Sequence, residues 1–118
     1  MIRNVHIIEL ESGFNAVVDP GIRFVDPGDT MKIHNDTAFQ VKLLFAEGGL
    51  LNGVGSMQGK TINKGKFREF TVESVYPDIY EYVVSVKLSG GKRVFAVGAS
   101  TPKIIVRPPA GSASTFGR

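Results

Sequence analysis

The chain of 118 residues contains no cysteine. This absence excludes disulfides, thiolate metal sites and cysteine nucleophiles in one step, and it fits a reducing compartment. Histidine is also scarce, because His6 and His34 are the only two in the sequence. Two imidazoles are too few for a zinc site unless several carboxylates complete it. The sequence therefore predicts neither a metal nor another cofactor.

Long apolar runs are missing as well. No segment approaches the roughly 18 apolar residues that a membrane-spanning helix needs. The apolar patch around Ile7 is followed at once by Glu9 and Glu11, whereas a signal peptide needs about 7–15 continuous apolar residues. We therefore expect a cytoplasmic protein without a membrane partner.

The length and composition are those of one folded domain. Hydrophobic residues make up 42% of the chain and charged residues 21%, a balance typical of globular rather than disordered proteins. The last stretch, "PPAGSASTFGR", is small and polar, and its two prolines cannot donate to a strand ladder. We predict a single domain over residues 1–107 and a flexible C-terminal tail over residues 108–118.

Strand signals dominate the chain. No window keeps apolar residues at i, i+3, i+4 and i+7 over eleven or more positions, as a helix would. Short alternating runs recur instead, separated by Gly, Pro, Asn and Asp. We predict strands at residues 2–10, 14–18, 22–25, 30–34, 39–45, 67–73, 79–88, 93–97 and 103–106. So many short strands predict an all-β sandwich or barrel.

One long segment does not read as a strand. Residues 47–65, "EGGLLNGVGSMQGKTINKG", contain six glycines, and a loop of this length in a compact domain is usually functional or mobile. Its apolar side chains would form an exposed patch unless something covers them. We predict that a protein partner binds Leu50, Leu51, Val54 and Met57. The alternative is that the loop folds back and caps one end of the sandwich.

Charge is distributed unevenly along the chain. Residues 1–59 hold 4 basic and 7 acidic residues, a net charge of −3, and residues 60–118 hold 10 basic and 4 acidic residues, a net charge of +6. Two copies could therefore meet with opposite charges facing. The first predicted strand, residues 2–10, is long enough to pair with a neighbouring chain if it lies at a sheet edge. Both features favour a homo-oligomer.

Basic residues concentrate late in the sequence. No acidic residue follows Glu81, and we predict an anion-binding patch at Lys87, Lys92 and Arg93. The alternative is that folding mixes the charges into an even surface. A second basic group, residues 60–68, is interleaved with Phe67 and Phe70, a pattern that suits single-stranded nucleic acid.

Four segments share a pattern with a known family. They are "VDPGDTMKIHN" (residues 25–35), "FQVKLLF" (39–45), "YEYVV" (80–84) and "KIIV" (103–106), and together they resemble the cupredoxin family. In that family the second segment brings a ligand histidine and the third ends near the ligand cysteine. A second histidine and an axial methionine precede the final strand. The resemblance implies a Greek-key β-sandwich.

The ligand positions depart from the cupredoxin pattern. Gln40 stands where the first histidine would be, and Val84 stands near the cysteine position. No histidine follows His34 and no methionine follows Met57. A blue-copper site needs two imidazoles and a thiolate, so the resemblance implies the scaffold without the metal.

A second resemblance keeps the fold class but changes the topology. The segment "DIYEY" (residues 78–82) resembles the start of the sixth strand of immunoglobulin-like sandwiches, where a tyrosine corner is common. With either fold, the sequence favours a metal-free, non-catalytic module that binds a protein partner or itself. Binding of single-stranded nucleic acid or another polyanion is one alternative. A small non-metal enzyme with His34 as base and Asp36 as its orienter is another.

Overall fold

The computed structural model describes residues 1–10, 15–75, 77–96 and 101–107. The predicted tail, residues 108–118, lies outside the described residues. The strands are β1 (Ile2–Leu10), β2 (Asn15–Asp19), β3 (Ile22–Val25), β4 (Thr30–Asn35), β5 (Gln40–Phe45), β6 (Gly59–Ile62), β7 (Phe67–Thr71), β8 (Asp78–Lys87), β9 (Arg93–Phe95) and β10 (Lys103–Val106). One 3₁₀ turn, Ser89–Gly91, joins β8 to β9. Within the described residues no helix is long and apolar enough to cross a membrane.

The strands form two sheets. The smaller sheet has the order β2-β1-β4-β7, and the larger has the order β3-β10-β8-β5-β6, with β9 also paired to β8. The β1–β4 and β3–β10 pairs are parallel and the other strand pairs are antiparallel. The predicted all-β sandwich is confirmed. Its mixed sheets differ from the purely antiparallel sheets of an immunoglobulin-like domain.

Alternation along the strands decides which side chains enter the core. In β4, Met31 and Ile33 are fully buried while Lys32 and His34 lie on the outer face. In β5, Val41, Leu43 and Phe45 point inward in the same way, as the two-residue period of a strand requires. Inward side chains of the two sheets form one shared apolar cluster.

The predicted strands agree with the observed strands to within two residues at each described end. The strand that sequence analysis missed is β6, inside the glycine-rich segment. It begins at Gly59, and Ile62 is its only buried residue, so its alternation is too short to stand out. The long segment 47–65 is therefore not a plain loop.

The glycine-rich segment packs into the sandwich. Leu50, Leu51 and Val54 are only 1%, 2% and 6% exposed, whereas Met57 is 62% exposed. Backbone bonds hold the segment, because Leu51 bridges to Val72 and the Leu50 carbonyl accepts the Glu73 N–H at 2.7 Å. The expected exposed patch is therefore wrong for the first three residues. The alternative, a loop that folds back over one end, describes their position, and a partner would reach only Met57.

Strand β1 lies between β2 and β4. It is not an edge strand: β2 pairs with its His6–Leu10 part and β4 with its Ile2–Ile7 part, so the expected pairing with a neighbouring chain is not available along its whole length. Its start is instead held by charge: the Arg3 guanidinium donates to Asp29 at 2.7 Å and to Asp26 at 2.9 Å. Asp26 also accepts two hydrogen bonds from Arg107, at 2.7 and 3.0 Å, just after β10. This cluster joins the start of the smaller sheet to one end of the larger sheet.

Candidate functional site

The turn after β4 is built around Asn35, which is fully buried. Its Nδ2 donates to the carbonyls of Phe39 and Ile62 at 2.7 and 2.9 Å. Its Oδ1 accepts the backbone N–H of Thr37 at 3.0 Å and lies 2.7 Å from the Thr37 hydroxyl. Asn35 thus satisfies the polar groups of a buried turn and links it to β6. In this protein the asparagine of the cupredoxin-like segment is part of the framework.

Gln40 and Val84 lie on opposite faces of the larger sheet. Gln40 pairs with Lys87, and Val84 pairs with the core residue Leu43. Directly opposed residues share a face, so Gln40 is on the outer face and Val84 is in the core. Three residues separate Val84 from Lys87, or roughly 10 Å along the strand. The Gln40 amide donates to Asn63 Oδ1 at 3.0 Å, so its polar group already has a protein partner.

The segment after Val84 also departs from a ligand loop. Strand β8 continues to Lys87, turns at Ser89–Gly91 and returns as β9. Residues 85–102 contain no histidine, cysteine or methionine. No group of three or more His, Cys, Asp or Glu residues that could hold a metal ion occurs in the described ranges. The donor set does not fit a blue-copper centre, which needs two imidazoles and a thiolate.

His34 lies in the middle of the outer face of the smaller sheet. Its ring stacks on His6 with centroids 4.3 Å apart, and its Nε2 forms a hydrogen bond with Asn4 Oδ1 at 2.9 Å. Asp36 Oδ2 is 2.7 Å from His6 Nδ1. The carboxylate therefore orients His6, and the expected His34–Asp36 pair is wrong. Burial, then the neighbouring charges of His6 and Lys32, lower the pKa of His34 against an opposing effect of Asp36.

The outer face of the larger sheet carries a row of apolar side chains. Ile105 in β10 lies directly opposite Phe24 in β3 and Ile79 in β8. Phe24 is 50% exposed and Ile79 is 54% exposed, while Ile105 is half-buried between them. We call these three residues the apolar row. They line a shallow groove of about 440 Å³ together with Pro77, Asp78, Val106 and Arg107.

One acid and one base lie on each side of the apolar row, along the strand direction. On one side, Glu81 and Lys103 are directly opposed on β8 and β10. On the other side, Asp78 and Arg107 line the groove. Charges of both signs therefore flank an apolar centre, which is the arrangement of many protein-binding surfaces.

A second depression lies on the same face. Its volume is about 270 Å³, and its lining includes Leu44, Val83 and Met57. Leu44 and Val83 are directly opposed on β5 and β8. The exposed member of the predicted loop site, Met57, thus joins the outer face of the larger sheet rather than the end of the sandwich.

The predicted anion-binding residues come together in the β8–β9 hairpin. Lys87 and Arg93 are directly opposed, Lys92 follows the turn, and all three are exposed. No ion pair within the described ranges involves any of them. Phe95, which is 69% exposed, lies two residues beyond Arg93 on the same face. We call these four residues the basic hairpin.

The second predicted basic group is split between surface and core. Phe70 is 7% exposed and seals the core, whereas Phe67 is 50% exposed. The outer ring contacts its own sheet: Lys32 Nζ lies 4.1 Å from the Phe67 centroid, and the His34 ring lies 5.8 Å away. Phe67 is therefore less free than Phe95 to contact a partner.

Sequence analysis missed the apolar row. Its signal was present, because "IIV" in β10 places apolar residues on both faces of one strand. In a sandwich only one face of each sheet is buried, so the outer face should be polar. A continuous apolar run in a short strand of such a fold therefore indicates an apolar patch on the outer face, and such patches usually mark interaction sites.

Comparison with known proteins shows the fold. No protein-family model and no curated protein matches the chain. Solved structures do: a reduced Cu(I) form of an amicyanin mutant at pH 4 is 19% identical with a TM-score of 0.56, covering 88% of this chain and 80% of that chain. A reduced state of another amicyanin mutant has the same identity and coverage and a TM-score of 0.55. Amicyanin is a cupredoxin. The fold of this chain is therefore cupredoxin-like, without the donor set of a copper site.

Proposed function

We propose that this protein is a metal-free, cupredoxin-like module that self-associates through the outer face of its larger sheet. The observation that carries this proposal is the apolar row, in which Phe24, Ile105 and Ile79 are directly opposed on three adjacent strands. The two outer members are about half exposed. Contiguous exposed apolar surface on a soluble protein usually marks an interaction site.

The flanking charges favour a second copy as the partner. An interface with two-fold symmetry pairs one surface patch with itself, so each acidic group must meet a basic group of the same patch. Glu81 and Lys103 supply both signs on one side of the row. On the other side Asp78 supplies an acid, and the Arg107 guanidinium is shared with Asp26. Under a two-fold axis, Lys103 of one copy can face Glu81 of the other. A strongly acidic or strongly basic partner would complement only one of the two signs of charge on this face.

The apolar contact and the charged contacts of the proposed interface respond differently to salt. Apolar burial does not depend on ionic strength, whereas exposed charges are screened over about 8 Å at 0.15 M salt. We therefore expect a dimer whose affinity falls slightly with salt and persists at high salt. The unequal net charge of the two halves of the chain would act mainly on the rate of encounter.

The test is mass in solution, measured at two protein and two salt concentrations. A double variant, Phe24→Ser with Ile79→Ser, should weaken association by well over tenfold, because each side chain contributes about 1.5–3 kcal/mol when buried. Phe67→Ser is the matched control: the same residue type, also 50% exposed, on the outer face of the other sheet. The control should associate like the unchanged protein.

Charge exchange tests the two-fold arrangement separately. Glu81→Lys should weaken association at low salt, and adding Lys103→Glu should restore it, because the interface then has both signs again. A strictly monomeric mass at high concentration and low salt would refute the proposal. An equal loss from Phe67→Ser would assign the contact to the other face and refute the apolar row as its centre.

A further inference from the structure

The basic hairpin is a second surface, independent of the apolar row. Lys87 lies eight positions after Ile79 on β8, or about 26 Å along an extended strand. No acidic residue occurs from residue 82 to the end of the chain. Along β8 the nearest carboxylate is that of Glu81, six residues from Lys87. The positive charge of this hairpin is therefore not compensated along its own strands.

We infer that the basic hairpin binds single-stranded nucleic acid. Lys87, Lys92 and Arg93 would contact phosphates, and Phe95 would stack on a base. The three cations form no ion pair in the described part of the chain. Among the described side-chain contacts, Arg93 donates to a neutral group, from Nη1 to Ser85 Oγ at 3.3 Å. Their charges are thus available to an incoming anion.

The aromatic ring selects nucleic acid over other anionic chains. Phe95 is the most exposed aromatic residue of the described ranges, at 69%. It shares a face and a strand with Arg93, two residues or roughly 7 Å away. A cation beside an open ring is the arrangement that binds a backbone phosphate and stacks its base. An acidic peptide would use the cations and leave the ring in water.

The hairpin geometry holds these groups in place. Val86 and Val94 are directly opposed; Val86 is fully buried and Val94 packs on the core. Their neighbours Lys87, Arg93 and Phe95 must therefore project from the outer face. The tight connection uses Gly90 and Gly91, both with φ near +85°, a conformation that other residues resist.

The experiment is fluorescence anisotropy of a labelled oligothymidylate titrated with the protein between about 50 and 200 mM salt. Three phosphate contacts predict a slope of log affinity against log salt of roughly −2. The neutral double variant Lys87→Gln with Arg93→Gln should reduce the slope to about −0.7 and the affinity by more than tenfold. Lys64→Gln with Lys66→Gln is the matched control, since both lysines are exposed near the β6–β7 turn, and it should bind normally.

Phe95→Leu separates stacking from charge. It should weaken binding of oligothymidylate roughly tenfold, because one base–aromatic stack is lost, and leave binding of inorganic polyphosphate unchanged. The inference is overturned if no binding occurs at the lowest salt or if the control loses as much affinity as the hairpin variant. It is equally overturned if polyphosphate binds as tightly as oligothymidylate and Phe95→Leu changes neither, since the site would then recognise charge alone.

Discussion

Two polar side chains in the core of this sandwich differ sharply in their hydrogen bonding. Asn35 is fully buried, and both ends of its amide are bonded to the turn that follows it. Tyr82 is 2% exposed, and its hydroxyl has no hydrogen-bond partner among the described residues. Burial raises the pKa of Tyr82, because the phenolate would have no water around it.

The difference shows what each residue contributes. Asn35 replaces backbone hydrogen bonds that a turn cannot make for itself. Tyr82 is buried for its ring, which stacks on Phe45 with centroids 5.1 Å apart, and the hydroxyl accompanies the ring at a cost in desolvation. Removing the polar group should therefore destabilise the fold in the first case and not in the second.

The largest expected effect is that of Asn35→Ala. It removes the two hydrogen bonds that Asn35 donates to the carbonyls of Phe39 and Ile62 and the one that its Oδ1 accepts from the Thr37 N–H. We expect the free energy of unfolding to fall by about 3 kcal/mol, measured by chemical denaturation. Asn63→Ala is the control, because Asn63 is exposed and the one described hydrogen bond of its side chain is accepted from Gln40. A loss below about 0.5 kcal/mol is expected there, and equal losses would contradict the comparison.

A smaller loss is expected for Thr37→Val. The Thr37 hydroxyl lies 2.7 Å from Asn35 Oδ1 and accepts the Phe39 N–H at 3.2 Å, and valine keeps the shape without the hydroxyl. We expect a loss of roughly 1–2 kcal/mol. In combination with Asn35→Ala the losses should not add, since both changes break one network. Full additivity would show that Thr37 acts alone.

The sequence predicts the framework well because alternation and turns are local signals. The run of Met31, Ile33 and Asn35 has the two-residue period of a strand, and all three are buried. Gly28, in the second "DPG" turn, has φ of +86°, the conformation for which glycine is used. The resemblance then places these strands in a sandwich.

The candidate surfaces were harder to predict because they depend on pairing between distant strands. The apolar row joins residues 24, 79 and 105, which no local pattern brings together. Sequence alone predicts that Leu50 and Leu51 are exposed, because a glycine-rich segment has no hydrophobic periodicity that would indicate packing against the sandwich. Lys87, Lys92 and Arg93 are near neighbours in sequence as well as in space, so a local pattern is enough to group them.

Tyr82→Phe should leave stability unchanged or raise it by up to about 1 kcal/mol. The variant keeps the ring against Phe45 and removes a buried hydroxyl that no described residue bonds. Tyr80→Phe is the matched control on the same strand, because the Tyr80 hydroxyl lies 3.1 Å from Ser74 Oγ. The control should lose about 0.5–1 kcal/mol. If Tyr82→Phe is the more destabilising of the two, the contrast between bonded and unbonded hydroxyls is wrong.

The smallest expected effect concerns His34, whose hydrogen bonding is intermediate between that of Asn35 and that of Tyr82. The residue is half-buried, and its ring forms a hydrogen bond with the side chain of Asn4. Its pKa is lowered by burial first and then by the positive charges of His6 and Lys32, with Asp36 acting in the opposite direction. Asp19 lies opposite His6 on β2, and Glu69 lies opposite Lys32 on β7.

A lowered pKa means that the folded protein binds a proton on His34 less readily than the unfolded chain does. Stability from this group is therefore fully present above the ordinary histidine pKa of about 6.5 and declines as the pH falls below it. Denaturation curves between about pH 5 and pH 8 should show this slope, and His34→Gln should flatten it. His6→Gln should reduce the slope as well, because it removes the neighbouring charge that opposes protonation. An unchanged slope in His34→Gln would show that the stacked pair does not sense pH in this range.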